Sequence, residues 1–167
     1  EIGLAAGEMP VRRGYPASVF SLLPKLLERA GNNEHGSITA LYTSLLSGDI
    51  DEDPMVEEIK SITDWHIMLK KSLADAWHFP AVDILSSISR TQTQVITQEQ
   101  MTMIKSLRSS YARVMADKDL IALGAEPDEE LKEALAVEKK LMEFLQQDTS
   151  TISHLEDTWL ELKGLSS

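Results

Sequence analysis

Arg90 closes a run of small residues, Ser86-Ser87-Ile88-Ser89-Arg90, which follows the pair Phe79-Pro80 and a short apolar stretch. A guanidinium stays charged at any physiological pH and offers a planar fork of donors. On a loop it can reach into a neighbouring anionic site or pair with a surface carboxylate, and these residues alone leave both open. Other chemistry-bearing residues are more scattered. His35, His66, His78 and His154 show neither HxxxH nor HExxH spacing, so no metal site is expected. His78, between Trp77 and Phe79, reads as a partly buried structural residue. Glu8 and Glu28 might be named as an acid/base pair, but nothing in the spacing sets their separation, and surface ion pairing is the expectation. Arg12 and Arg13 form a small basic pair in a loop. The acidic run GDIDEDP at 48–54 suggests a calcium loop, yet its glycine and its glutamate fall at the wrong loop positions. It is expected to be a solvated loop leading into a helix N-terminus, where carboxylates suit the dipole.

Composition limits the choice of function. The 167 residues suit one domain or one and a half, and 43% apolar content is enough for a core. The net charge of −11 disfavours nonspecific binding to nucleic acid or to an anionic membrane. Thirteen of the 27 acidic residues but only five of the 16 basic ones lie at 117–167, so most of the excess acid is late in the chain. There is no cysteine, which excludes disulfides, thiolate zinc sites and a cysteine nucleophile. No apolar run reaches the ~18 residues of a membrane span. The start, Glu1-Ile2-Gly3-Leu4, lacks Met and a signal-peptide pattern, and it reads as the tail of an element, as in a fragment or a processed chain.

Several elements must position Arg90. MPVRRGYP at 9–16 is loop, and Ser18 is a plausible cap for a helix over 19–30 that ends at Gly31. Residues 37–46, 65–69 and 79–84 have strand length and strand composition. Ser44 then stands as a buried hydroxyl in need of a partner. Helices are expected at 54–63, with Met55, Ile59 and Ile62 inward, and near 70–76. Strand and helix alternate, as in an α/β parallel sheet. From residue 97 the period changes. Met101, Ile104, Leu107, Tyr111, Val114 and Met115 recur every three to four residues. A short helix at 120–123 would end at Gly124. A longer acidic helix starts at Pro127-Asp128-Glu129-Glu130, and Leu155, Trp159 and Leu162 mark a last short one. The acidic helix over 129–144 is either a solvated face or a docking surface.

Four stretches together carry a resemblance: GEMPVRRGYPASVFSLLPKLLERAG at 7–31, GSITALYT at 36–43, HFPAVDILSSISR at 78–90 and LIALGA at 120–125. In this order they resemble the C-terminal half of the export ATPases of type III secretion systems and of the bacterial flagellum, relatives of the catalytic subunits of rotary ATP synthases. The resemblance implies an α/β fold: part of a P-loop (RecA-like) parallel sheet over 1–92, then an all-α C-terminal helical domain over 93–167. It implies an ATPase acting as a homohexameric ring, with ATP bound between subunits. Hydrolysis would be coupled to virulence or flagellar protein secretion. Arg90 matches the arginine that reaches the phosphates of ATP held by the next subunit, an arginine finger. Phe79, with Pro80, matches the pair lying against the adenine. Arg12 and Arg13 match a loop open to interfacial use. Implied partners are export chaperones, substrates, a stalk protein and a regulator, all in the bacterial cytoplasm at the inner-membrane face of the secretion apparatus.

The chain has no GxxxxGK followed by Ser or Thr, and no apolar strand ending in a metal-holding Asp. In the family both precede the residue matching Glu1, so Mg²⁺ would be held outside this chain and the chain alone is expected to be inactive. Its strands are also expected to have an exposed edge that invites pairing. Three positions depart from the family. Trp65 stands where a glycine is usual and is expected to be strained. Ser44 replaces a small aliphatic residue. Glu126-Pro127-Asp128 replaces an aromatic, glycine-containing loop, which bears on C-terminal adenine contacts. The alternative function is a non-catalytic interaction or regulatory domain of such a ring.

Overall fold

The computed structural model describes residues 1–45 and 53–165. They divide into two compact units, Glu1–Asp64 and Trp65–Ser167. In the first, α1 (Ile2–Ala5) leads to a hairpin of β1 (Pro10–Arg12) and β2 (Tyr15–Pro16). Arg13 and Gly14 turn this hairpin with φ of 42° and 86°, the pair of left-handed residues that matches strand twist. α2 (Ala17–Leu27) follows at once. Pro16 takes the N-cap position expected for Ser18, and the Glu8 carboxylate accepts from the Ser18 N–H at 3.3 Å in place of a side-chain cap. The helix ends at Glu28 rather than running to Gly31, which opens β3 (Gly31–Asn33). β3 pairs with β4 (Gly36–Ile38), and Asn33 Oδ1 accepts from the His35 and Gly36 N–H groups to close that turn.

The strand expected over 37–46 is therefore only three residues deep. Among the described residues, 39–45 have no ladder partner, Ser44 is exposed rather than buried, and Leu46 lies outside that set. A strand-type sequence becomes a strand only where another backbone meets its N–H and C=O groups. Most of the acidic run at 48–54 also lies outside the described residues. Its last two members form a helix start: Asp53 accepts from the Met55 N–H at 2.9 Å, Pro54 occupies the first turn, and α3 runs Pro54–Ile62. α3 packs on α2. Leu27, Val56 and Pro16 are the buried apolar residues of this unit among those described, so its core is thin.

The second unit begins with β5 (Trp65–His66), which pairs antiparallel with β6 (Ile88–Ser89). α4 (Lys71–Asp75) lies between them, and Leu69 and Val82 form an isolated antiparallel bridge. So 65–69 is a strand for two residues, and 79–84 is no strand: 79–80 is a bend, Val82 makes the one bridge, and 84–86 is a turn. Among the described residues every ladder is two-stranded and antiparallel. α4 ends in a Schellman turn: Trp77 N–H donates to Ala74 O and His78 N–H to Leu73 O, both at 2.9 Å. The left-handed position, held by Gly124 in the same turn after α6, is here held by Trp77 at φ 57°. The strained tryptophan is thus Trp77. Trp65 sits in β5 without a positive φ, contrary to the expectation for it.

After a short α5 (Gln92–Val95), Thr97 starts α6 (Gln98–Ala122) with a full capping box: Gln100 N–H donates to Thr97 Oγ1, and Thr97 N–H to Gln100 Oε1. α6 absorbs the separate helix expected at 120–123, because nothing breaks the ladder before Gly124. α7 (Glu129–Leu145) is capped by Asp128, which accepts from the Leu131 N–H at 2.7 Å. The run Glu126-Pro127-Asp128 is therefore a helix start. α8 (Leu155–Leu165) packs against both longer helices. Met103, Leu107, Tyr111 and Val114 form the buried stripe of α6, and Leu131, Ala134 and Leu141 that of α7. No helix among the described residues is long and apolar enough to cross a membrane.

Candidate functional site

Asp83 organises the loop that carries Arg90. Its Oδ1 accepts from the N–H of Leu85 at 3.0 Å and of Ser86 at 3.4 Å, and its Oδ2 from the Ser86 hydroxyl at 2.8 Å. This is an Asx turn, in which a short carboxylate stands in for backbone. Lys70 Nζ lies 3.6 Å from the same carboxylate. Burial pushes the Asp83 pKa up, but the hydrogen bonds from Ser86 and from the Leu85 and Ser86 backbone, with the Lys70 charge, outweigh it and hold the carboxyl below its ordinary value. The Asp83 N–H in turn donates to Met68 O at 2.8 Å. Ser87 completes the frame: its hydroxyl donates to Asp83 O at 2.7 Å and accepts from the Met68 N–H at 3.0 Å. Two residues of ladder then fix the chain, Trp65 opposite Ser89 and His66 opposite Ile88. Arg90 follows directly, with its side chain exposed.

A tie from α6 reaches the same loop. Arg108 donates from Nη2 to Leu85 O at 3.0 Å and from Nη1 to Ser87 O at 3.3 Å. Phe79 is held differently. Its ring is 48% exposed and meets Trp77 edge to face, with centroids 6.2 Å apart. The Phe79–Pro80 peptide is cis, and Pro80 is exposed. Phe79 O accepts from the N–H of Gln147, just past α7, at 2.8 Å. Phe79 is thus not a core residue.

The sequence matches the family model "ATP synthase alpha/beta family, nucleotide-binding domain" over residues 1–89, more than half of the chain. The chain belongs to the ATP synthase alpha/beta family. Residues 96–164 match the "T3SS EscN ATPase C-terminal domain". The flagellum-specific ATP synthase of Bacillus subtilis is 41% identical over 169 residues, covering 99% of this chain and 39% of that protein. The type 3 secretion system ATPase of Sinorhizobium fredii is 45% identical over 161 residues, covering 95% and 36%. The fold is similar to the assembled ATPase EscN of the enteropathogenic E. coli type III secretion system, with TM-score 0.94, 43% identity, and 99% of this chain on 41% of that one. It is also similar to the ATP synthase subunit NeqB of Nanoarcheaum equitans, with TM-score 0.89 and 25% identity over 99% of this chain and 42% of that one. The chain therefore spans about two-fifths of the length of these relatives. Its fold is that of the family: a mixed α/β part followed by helices.

The remaining candidates have structural roles. Glu8 sits at the N-terminal end of α2 and Glu28 at its C-cap, so the eleven-residue helix separates them by about 16 Å and they cannot act as a pair. His78 is 5% exposed, a buried structural residue. Arg12 stacks over Phe20, with its guanidinium carbon 5.9 Å from the ring centroid. Among the described residues no three His, Asp or Glu side chains are grouped to hold a metal ion. Sequence reading named Arg90 and Phe79 but missed what holds them. Asp83, three residues before Ser86, carried a legible turn signal. Arg108 and Gln147 did not, because their links span 21 or more residues.

Proposed function

We propose that this chain is part of a protein-export ATPase that couples ATP hydrolysis to type III secretion, virulence or flagellar. Its division would fall at 92/93, between the end of an ATPase core domain and a C-terminal helical domain. The change of family model between residues 89 and 96, and the capping box that starts α6, support that boundary. The observation that carries the functional reading is Arg90: an exposed guanidinium at the end of a loop fixed by the Asp83 turn and the β5–β6 ladder. A cation presented rigidly suits phosphate oxygens, where charge develops during phosphoryl transfer. ATP bound by the next subunit of a homohexameric ring would bring the reacting phosphoryl group, with Mg²⁺ held by residues outside this chain. Arg90 would pair with its phosphate oxygens in trans. The half-exposed ring of Phe79, with Pro80, would lie against an adenine.

Relatives named for flagellar and type 3 secretion ATPases support the export role, and a relative solved as an assembly supports a ring. EscN has been solved with its central stalk EscO, which supports a stalk partner here. Chaperones, substrates and a regulator would meet the helical part, including the acidic face of α7, in the bacterial cytoplasm at the inner membrane. The test is phosphate release by a ring of EscN in which this chain replaces the matching segment. Arg90→Ala should cut kcat by on the order of 10³-fold, and the 167-residue chain alone should release no phosphate above background. Unchanged turnover in the Arg90→Ala ring would favour a non-catalytic interaction domain instead.

A further inference from the structure

Arg108 spends its guanidinium on two neutral carbonyls, Leu85 O and Ser87 O, on either side of Ser86. Among the described residues it takes part in no ion pair, although the chain has 27 acidic residues. Such a planar fork holds two points of a loop in a set geometry, whereas an ammonium with rotatable donors on a flexible stem does not fix that geometry. Its own base is firm: Leu107 is 4% exposed, Tyr111 6% and Val114 5%, all on α6, which packs against α7. Burial, followed by the charges of Asp83 and Glu138, raises the Tyr111 pKa, as expected of a phenol held between α7 and the loop. The held carbonyl of Ser87 is only three residues from Arg90.

We propose that Arg108 is a positioning residue for Arg90: it pegs the Leu85–Ser87 segment to helix α6, so that the helical part sets where the arginine points. This rests on Arg90 acting on phosphate. Asp83 and the β5–β6 ladder shape the loop from within its own segment; Arg108 ties that shape to the 25-residue α6. Losing the peg leaves the turn intact and lets it shift as a unit. A reacting group displaced by ~1 Å costs up to about 10²-fold in rate.

The test uses the same EscN ring carrying Arg90→Ala, Arg108→Ala, Arg108→Lys and, as a control on the same helix, Arg113→Ala. Arg108→Ala is expected to lower kcat on the order of 10-fold to 10²-fold, leave KM for ATP unchanged, and weaken trapping by ADP with aluminium fluoride. Arg108→Lys, which keeps the charge but not the planar fork, should fall between. Arg113→Ala should match the parent. On the 167-residue chain itself, Arg108→Ala should speed amide hydrogen exchange at Ile88, Ser89 and Arg90 while α6 amides stay protected. If Arg90→Ala stops turnover and Arg108→Ala leaves kcat unchanged, the inference is overturned and the arginine-finger reading stands. If Arg90→Ala itself has no effect, the finger reading fails first. A rise in KM in step with the fall in kcat, or unchanged exchange at 88–90, also overturns it.

Discussion

Replacing Asp83 isolates the contribution of the turn beneath Arg90. The carboxylate accepts two good hydrogen bonds, from Leu85 N–H at 3.0 Å and Ser86 Oγ at 2.8 Å, and a longer one from Ser86 N–H. Bonds to a charged acceptor contribute about 1.5 kcal/mol each at the lower end of their range, giving about 3 kcal/mol. The Lys70 contact at 3.6 Å involves a largely exposed lysine and adds no more than about 0.5 kcal/mol. Asp83→Ala should therefore destabilise the second unit by about 3 kcal/mol. Asp83→Asn keeps an acceptor for Leu85 and should cost about 1 kcal/mol. The sign with pH follows from the depressed native pKa. Stability contributed by the carboxylate is present above the unfolded value of about 3.9 and is lost as pH falls through the lower folded value. Urea unfolding read by tryptophan fluorescence measures this directly, because Trp65, Trp77 and Trp159 all lie in the second unit. As pH falls from about 6 to below the unfolded carboxylate value, the parent should progressively lose its advantage over Asp83→Asn. A change below about 0.5 kcal/mol for Asp83→Ala, the level of an ordinary surface substitution, would refute the turn argument. So would equal acid sensitivity of parent and Asp83→Asn.

Leu131→Ala should cost about 2–4 kcal/mol, since Leu131 packs with Val114 and Ala134 in the contact of α6 with α7; the urea midpoint reads it, and a loss confined to the α7 N-terminus in hydrogen exchange would contradict a shared core. At position 77 the order of substitutions is diagnostic. With φ at 57°, Trp77→Gly should be more stable than Trp77→Ala by about 1 kcal/mol, measured as the difference in urea unfolding free energy, whereas equal stabilities would mean the turn has another conformation.

The helices were legible because their signals are local. Thr97 with Gln100, Asp128 before two glutamates, Asp53 with Pro54, and Gly124 each mark a helix end within a few residues. Apolar recurrence at Leu107, Tyr111 and Val114 chose the buried face. The strands were not legible in the same way. Residues 37–45 and 79–84 have strand composition, but a strand is a property of two segments, and among the described residues these have one partner residue or none over most of their length. Trp77 shows the converse failure: the turn that ends α4 holds a bulky, exposed residue at the left-handed position where local preference asks for glycine.

For the candidate site, the sequence alone determined the chemistry on offer: a permanent cation in Arg90 at the end of a serine-rich loop, an aromatic face in Phe79, and no phosphate-binding loop of the chain's own. Side-chain type and local order suffice for that. Only the tertiary structure decided how these groups are held. Arg108 meets Leu85 and Ser87 from 21 or more residues away, Gln147 meets Phe79 from 68 away, and β5 meets β6 across α4. Contacts of that span depend on how α6 and α7 pack against the loop segments, and no pattern within a few residues of sequence encodes them.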